Sequence, residues 1–136
     1  MKSFELPVRV YYEDTDAGGV VYYANYLKFL ERARTDWLRS LGFEQTSLMR
    51  ELGILFAVRR VEIDYLAPAR FDDALLVDAA VSAVSKVSLT FRQQIRRVPD
   101  QLLIDATVKV VCLDQERFRP TAIPDHIREK LQHAQQ

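Results

Sequence analysis

The sequence predicts an α+β domain, in which a curved antiparallel sheet of about five strands wraps around one long central helix. Three observations lead there. One apolar stripe at helical spacing runs from Tyr26 to Leu41. Most of the remaining chain alternates apolar and polar residues, the period of a half-buried strand. The connections between these alternating runs are short, which favours antiparallel pairing. A sheet with one apolar face needs a cover, and the helix is the only long one available.

The elements follow in chain order. Residues 7–12 alternate and form the first strand, and residues 13–19 form a turn. Tyr26, Phe29, Leu30, Ala33, Trp37 and Leu41 recur at three- and four-residue spacing on one helix face. Asn25 is the expected N-cap and Gly42 the C′ residue of that helix, with Arg32 and Asp36 paired one turn apart. A short second helix over residues 45–52 stops at Gly53. Val61, Ile63 and Tyr65 alternate next, and the phase shift near Arg59 and Arg60 signals a bulge or a strand start. Ala67-Pro68-Ala69 breaks this segment. Val77, Ala79, Val81 and Ala83 mark a further strand, and Val87, Leu89 and Phe91 another. A turn at Pro99-Asp100 leads to a last long strand, with Ile104, Ala106, Val108, Val110 and Cys112 on one face. Pro124 suits the first turn of a C-terminal helix over residues 124–131. The outer face and edges of such a sheet call for a second subunit, because open edge strands invite pairing.

Composition narrows the function. A length of 136 residues suits one domain, taken here as residues 1–136. Formal net charge is zero, so no overall basicity points to nucleic acid or an anionic membrane. The apolar runs are too short to span a bilayer, and the first ten residues lack a signal-peptide pattern. One cysteine rules out an internal disulfide, and two scattered histidines do not form a zinc pattern. The expectation is a cytoplasmic protein without a structural metal.

Chemistry concentrates between Glu13 and Leu38, in EDTDAGGVVYYANYLKFLERARTDWL. An acidic turn runs into two glycines and then into the helix. That order sets Asp16 in a loop leading to a helix N-terminus, where unpaired N–H groups and the positive dipole end lie. A carboxylate beside such donors can attack a carbonyl, or activate water against it, while the donors hold its oxygen.

The run VRVYYEDTDAGGVVYYANYLKFLERARTDWL resembles the hotdog-fold acyl-CoA thioesterases. Within them it is most similar to the 4-hydroxybenzoyl-CoA thioesterase-like branch, and there to the Tol–Pal-associated enzymes. The likeness continues more loosely through IDYLAPARFDDALLVDAAV to the last strand. It implies a hotdog dimer whose two sheets join, often paired again into a tetramer, with active sites at the subunit interface. It implies hydrolysis of acyl-CoA to free acid and CoA without metal or organic cofactor, and association with envelope or lipid-synthesis proteins. The family's catalytic aspartate matches Asp16, and the backbone N–H that polarises the thioester carbonyl matches Tyr23. Gly18, Gly19 and Val20 would lie beside the substrate, with Asn25 acting indirectly, and Ser85, Lys86 and Ser88 match the contacts to the CoA phosphates. One departure stands out: many Tol–Pal-associated members carry histidine where this chain has Tyr23, so histidine chemistry at that position is excluded here.

Each residue also has a plainer reading. Asp16 suits an Asx-turn, and Asp14 is its rival for the catalytic role, though better suited to ordering the loop. Gly18 and Gly19 are turn residues, and Tyr22 and Tyr23 are core or interface aromatics. Lys86 is a solvated charge, and Arg59, Arg60, Arg96 or Arg97 could serve the phosphates instead. Cys112 packs as a small hydrophobe. A hotdog dehydratase or hydratase would need a histidine for proton transfer at carbon, and the only histidines are His126 and His133. A non-catalytic acyl-CoA-binding or envelope-associated module remains the other class.

Overall fold

A computed structural model describes residues 4–135. The chain runs β1 (Phe4–Arg9), a 3-10 turn (Tyr12–Asp14), and a second 3-10 turn (Tyr23–Asn25) that leads directly into α1 (Tyr26–Ser40). Next come α2 (Gln45–Ser47), a π-helical turn (Leu48–Leu52), β2 (Ile54–Tyr65) and β3 (Ala74–Val84). β4 (Ser88–Arg97), β5 (Gln101–Asp114) and α3 (Asp125–His133) complete it. The strands form one sheet in the order β1-β3-β4-β5-β2, and every neighbouring pair is antiparallel. β1 and β2 are therefore the two edges.

The core lies between the sheet and α1, because the strand period and the helix stripe face each other. Leu75, Val77, Ala79 and Val81 of β3 are buried, as are Leu89, Phe91 and Ile95 of β4. All five residues read from β5 are buried as well. They meet Tyr26, Phe29, Leu30, Ala33 and Trp37 of α1, with Trp37 edge-on to Phe91 at 5.5 Å between ring centroids. Fully burying such a side chain contributes roughly 1.5–3 kcal/mol, so this stripe fixes the helix on the sheet. Cys112 is part of this core, and burial pushes its thiol up to about 11, which leaves it an inert hydrophobe. Gly42 and Gly53 end their helical segments in the left-handed region, at φ 94° and 64°.

Several expectations shift. β1 spans Phe4–Arg9 rather than residues 7–12. The Val10 N–H still reaches Asp73 O at 3.0 Å, but the Asp14 carboxylate then takes the Tyr11 N–H at 2.8 Å and turns the chain. The phase shift in β2 is a bulge between Val58 and Arg60, inside a strand that begins at Ile54. A second bulge, between Val81 and Ala83, leaves Ala83 exposed instead of inward. Asp36 pairs with Arg39 at 3.0 Å rather than with Arg32, whose guanidinium sits over the Phe29 ring. Pro124 precedes α3 as its N-cap, and α3 runs on to His133. Among the described residues no helix is long and apolar enough to cross a membrane.

Candidate functional site

The loop from Tyr11 to the start of α1 is tied down from several sides. Asp14 is buried and both oxygens of its carboxylate are engaged: one accepts the Tyr11 N–H at 2.8 Å, the other the Asn25 side-chain amide at 2.9 Å. Its backbone carbonyl accepts the Tyr22 N–H at 2.9 Å. Asp14 therefore clamps both ends of the loop. Asn25 is not the side-chain cap that its position suggested. It is helical, at φ −68° and ψ −25°, and its amide is spent on Asp14. The turn starts two residues before it, so capping falls elsewhere. From the other side, Val21 donates to Ala69 O at 2.8 Å, and the buried Tyr26 hydroxyl accepts the Ala69 N–H at 3.0 Å.

Asp16, in contrast, is exposed. One of its carboxylate oxygens accepts the Gly18 N–H at 2.8 Å, an Asx-turn. Its N–H reaches Val20 O at 2.9 Å, and its carbonyl accepts the Gly19 N–H at 3.0 Å. Gly19 sits at φ 80°, a conformation that side chains strain to adopt. A Cβ on Gly18 would come within 3.2 Å of that same Asp16 oxygen, so Gly18 leaves room for the carboxylate to seat. The turn and the candidate chemistry are thus compatible: one oxygen is anchored, and the other accepts no hydrogen bond among the described residues.

The donors lie just beyond. In the 3-10 turn Tyr23–Asn25, the Asn25 N–H donates to Tyr22 O at 2.8 Å. The Tyr23 and Ala24 N–H groups find no acceptor among the described residues, as expected at the first positions of a helical segment. Tyr22 and Tyr23 stand exposed with ring centroids 4.9 Å apart. The Tyr22 hydroxyl titrates above its ordinary range, chiefly because Tyr23 is its neighbour, with a smaller contribution from the Asp16 charge. Tyr65, at the end of β2, donates its hydroxyl to Tyr23 O at 3.1 Å.

Ser85, Lys86 and Ser88 are not brought to Asp16 within one chain. They form the β3–β4 turn, whereas the Asp16 loop adjoins the other end of β3, where Ala74 faces Arg9. An eleven-residue strand separates the two by roughly 35 Å. The serines also spend their hydroxyls inside the turn: the two Oγ atoms lie 2.6 Å apart, and the Ser88 N–H donates to Ser85 Oγ at 2.9 Å. Lys86 is exposed. Of the alternative cations, Arg60 is engaged with Glu62, Arg96 with Asp100 and Arg97 with Asp73.

Two open cavities, each of about 500 Å³, flank α1. One lies against β1, with Leu6, Val8, Thr35 and Asp14 in its wall. The other is more apolar and lies against β2 and β5, between Leu27, Val58, Val61 and Val108. Asp16 lines neither of them. Arg34 reaches the second cavity from α1 while 8% exposed, and burial holds its pKa below the ordinary value. It donates to Gln93 Oε1 at 3.1 Å, and the Gln93 amide donates to Leu30 O and Asp78 O. The sequence carried one sign of this network, since Gln93 interrupts the inward series Leu89, Phe91, Ile95. Tyr65 carried no such sign.

The description "Thioesterase superfamily" (4HBT) matches residues 18–104, more than half of the chain. The chain belongs to the thioesterase superfamily. It is 47% identical over 131 residues to the acyl-CoA thioesterase YbgC of Haemophilus influenzae, with 96% of each chain covered. It is 48% identical over 124 residues to the acyl-CoA thioester hydrolase YbgC of Escherichia coli O157:H7, covering 91% of this chain and 92% of that one. Among solved structures, a probable thioesterase from Bartonella henselae superposes with a TM-score of 0.85 at 32% identity, covering 90% of this chain and all of the other. The five-stranded sheet wrapped on α1 is the hotdog fold of this thioesterase superfamily.

Proposed function

We propose that this thioesterase-superfamily protein hydrolyses the thioester of acyl-CoA to a carboxylic acid and CoA, with Asp16 as the reacting carboxylate. The observation that carries the reading is the exposed Asp16 carboxylate, anchored through one oxygen, one short loop away from the unpaired Tyr23 and Ala24 N–H groups. The names of the curated relatives support the substrate class.

The thioester oxygen accepts the Tyr23 N–H, which stabilises negative charge as the carbonyl carbon becomes tetrahedral. Asp16 either attacks that carbon, giving an acyl-aspartyl anhydride that water then cleaves, or takes a proton from the water that attacks it. In both routes the C–S bond breaks and CoA leaves as a thiolate. A thiol has a pKa of about 8.5, so the leaving group needs no strong general acid. This suits a site whose nearest histidines, His126 and His133, belong to α3. The test is thiol release from short, long and aromatic acyl-CoAs, followed with a thiol reagent. Release from at least one class is expected. Binding without release from any of them would make the chain a binding module.

We further read the protein as a dimer joined at β2. Val58 on this edge is 50% exposed and borders the apolar cavity along α1. A two-fold axis pairing β2 with its copy sets the strands antiparallel and reverses the ends. The partner subunit's Lys86 then approaches the half of the double sheet that holds this chain's Asp16, because the β3–β4 turn lies level with the first half of β2, in the row Ser88–Val111–Ala57. That arrangement gives Lys86 a route to the CoA phosphates which one chain lacks. Sedimentation should give a dimer or a multiple of it. Val58→Glu should shift the mass toward monomer and abolish thiol release. A monomeric, fully active protein would overturn this part.

A further inference from the structure

Tyr65 closes β2 and projects toward the start of α1. Its hydroxyl donates to Tyr23 O at 3.1 Å, and its ring packs against Tyr26 with centroids 5.7 Å apart. The carbonyl of Tyr23 and the N–H of Ala24 belong to one peptide unit, with the two groups pointing in opposite directions. A hydrogen bond accepted at the oxygen of a peptide fixes its plane and polarises it, which strengthens its N–H as a donor. The preceding peptide is treated the same way: its oxygen, on Tyr22, accepts the Asn25 N–H at 2.8 Å, and its N–H is that of Tyr23. Two consecutive N–H groups are thus unpaired among the described residues, and each belongs to a peptide whose oxygen is already held.

We infer that Tyr65 is a positioning residue for thioester hydrolysis: through Tyr23 O it orients and polarises the peptide that presents the Ala24 N–H, making that N–H a second donor to the thioester oxygen beside the Tyr23 N–H. The inference rests on the thioester-hydrolysis reading above. It ties the chemistry to the end of an edge strand, because a displacement of β2 that carries Tyr65 away also releases the Ala24 peptide.

Tyr65→Phe tests it, since the ring contacts stay and only the hydroxyl is lost. Five quantities are compared with the unaltered enzyme: kcat and KM for an acyl-CoA, binding of a CoA trifluoromethyl ketone that adds water at its carbonyl to mimic the tetrahedral state, binding of an S-alkyl CoA thioether that lacks the thioester carbonyl, and melting temperature. The kcat is expected to fall about three- to tenfold, the size of one hydrogen bond of ordinary strength. Ketone binding should weaken by the same factor, with KM, thioether binding and melting temperature unchanged. An unchanged kcat overturns the inference. So does a fall in kcat accompanied by equal losses in thioether binding and melting temperature, which would mark Tyr65 as a packing residue. Failure of the underlying reading looks different, because the unaltered protein would then release no thiol from any acyl-CoA.

Discussion

Asp16→Asn is expected to leave a folded protein that binds acyl-CoA yet has lost about 10³-fold or more of its turnover. Asparagine keeps the shape of the side chain and an oxygen to accept the Gly18 N–H, so the turn survives. Asp16 is exposed, so no buried charge is removed and stability should change by no more than about 0.5 kcal/mol. What disappears is the negative oxygen. An amide is neither a competent nucleophile toward a thioester nor a base for water. The residual rate should come from the backbone donors alone, as happens when the reacting group of a hydrolase is removed and its oxyanion donors remain. Thiol release at saturating acyl-CoA, beside a thermal melt, checks both halves. Turnover like that of the unaltered protein would overturn the assignment of Asp16. Asp14 is the poorer candidate on geometry, because both of its carboxylate oxygens already hold the loop.

The largest loss of stability is expected at Gln93. Gln93→Leu keeps the volume but removes the only side-chain acceptor that the buried Arg34 guanidinium has among the described residues, and it strips a donor from Asp78 O. Gln93 is fully buried, so water does not replace it. Leaving a charged donor without its partner costs more than an ordinary hydrogen bond, and about 2–4 kcal/mol is expected. For a domain of this size that corresponds to a fall in melting temperature of roughly 10 °C. A shift within about 2 °C would show that Arg34 finds another acceptor. Arg34 opens onto the apolar cavity beside β2, so the same substitution should also loosen that flank of α1.

The long helix with its stop at Gly42, the short second helix stopped at Gly53, and the bulge near Arg59 were legible because each leaves a local mark: a 3.6-residue stripe, a left-handed glycine, a slip in strand phase. The motif from Asp14 to Asn25 was legible as a loop feeding a helix. The division of labour inside it was less so. The partner of Asn25 is Asp14, eleven positions earlier, and nothing local distinguishes that bond from a cap. The limits of β1 were misplaced because alternation continues through Tyr11 and Tyr12, while the Asp14 carboxylate ends the strand. Ser85, Lys86 and Ser88 matched by position in the chain, and position alone does not show that the length of β3 separates them from Asp16 within one chain. Tyr65 read only as one member of an alternating strand, and only the folded chain shows its hydroxyl on the Tyr23 carbonyl.

The proposed hydrolysis requires Asp16 and the backbone donors at the start of α1 to meet at one thioester carbonyl. A crystal structure of Asp16→Asn with an acyl-CoA bound in the site tests it most directly. The thioester oxygen is expected about 3 Å from the Tyr23 nitrogen and the carbonyl carbon about 3–3.5 Å from the side chain at position 16. An acyl-CoA whose carbonyl lies in the cavity between α1 and β1, out of reach of both groups, would contradict it.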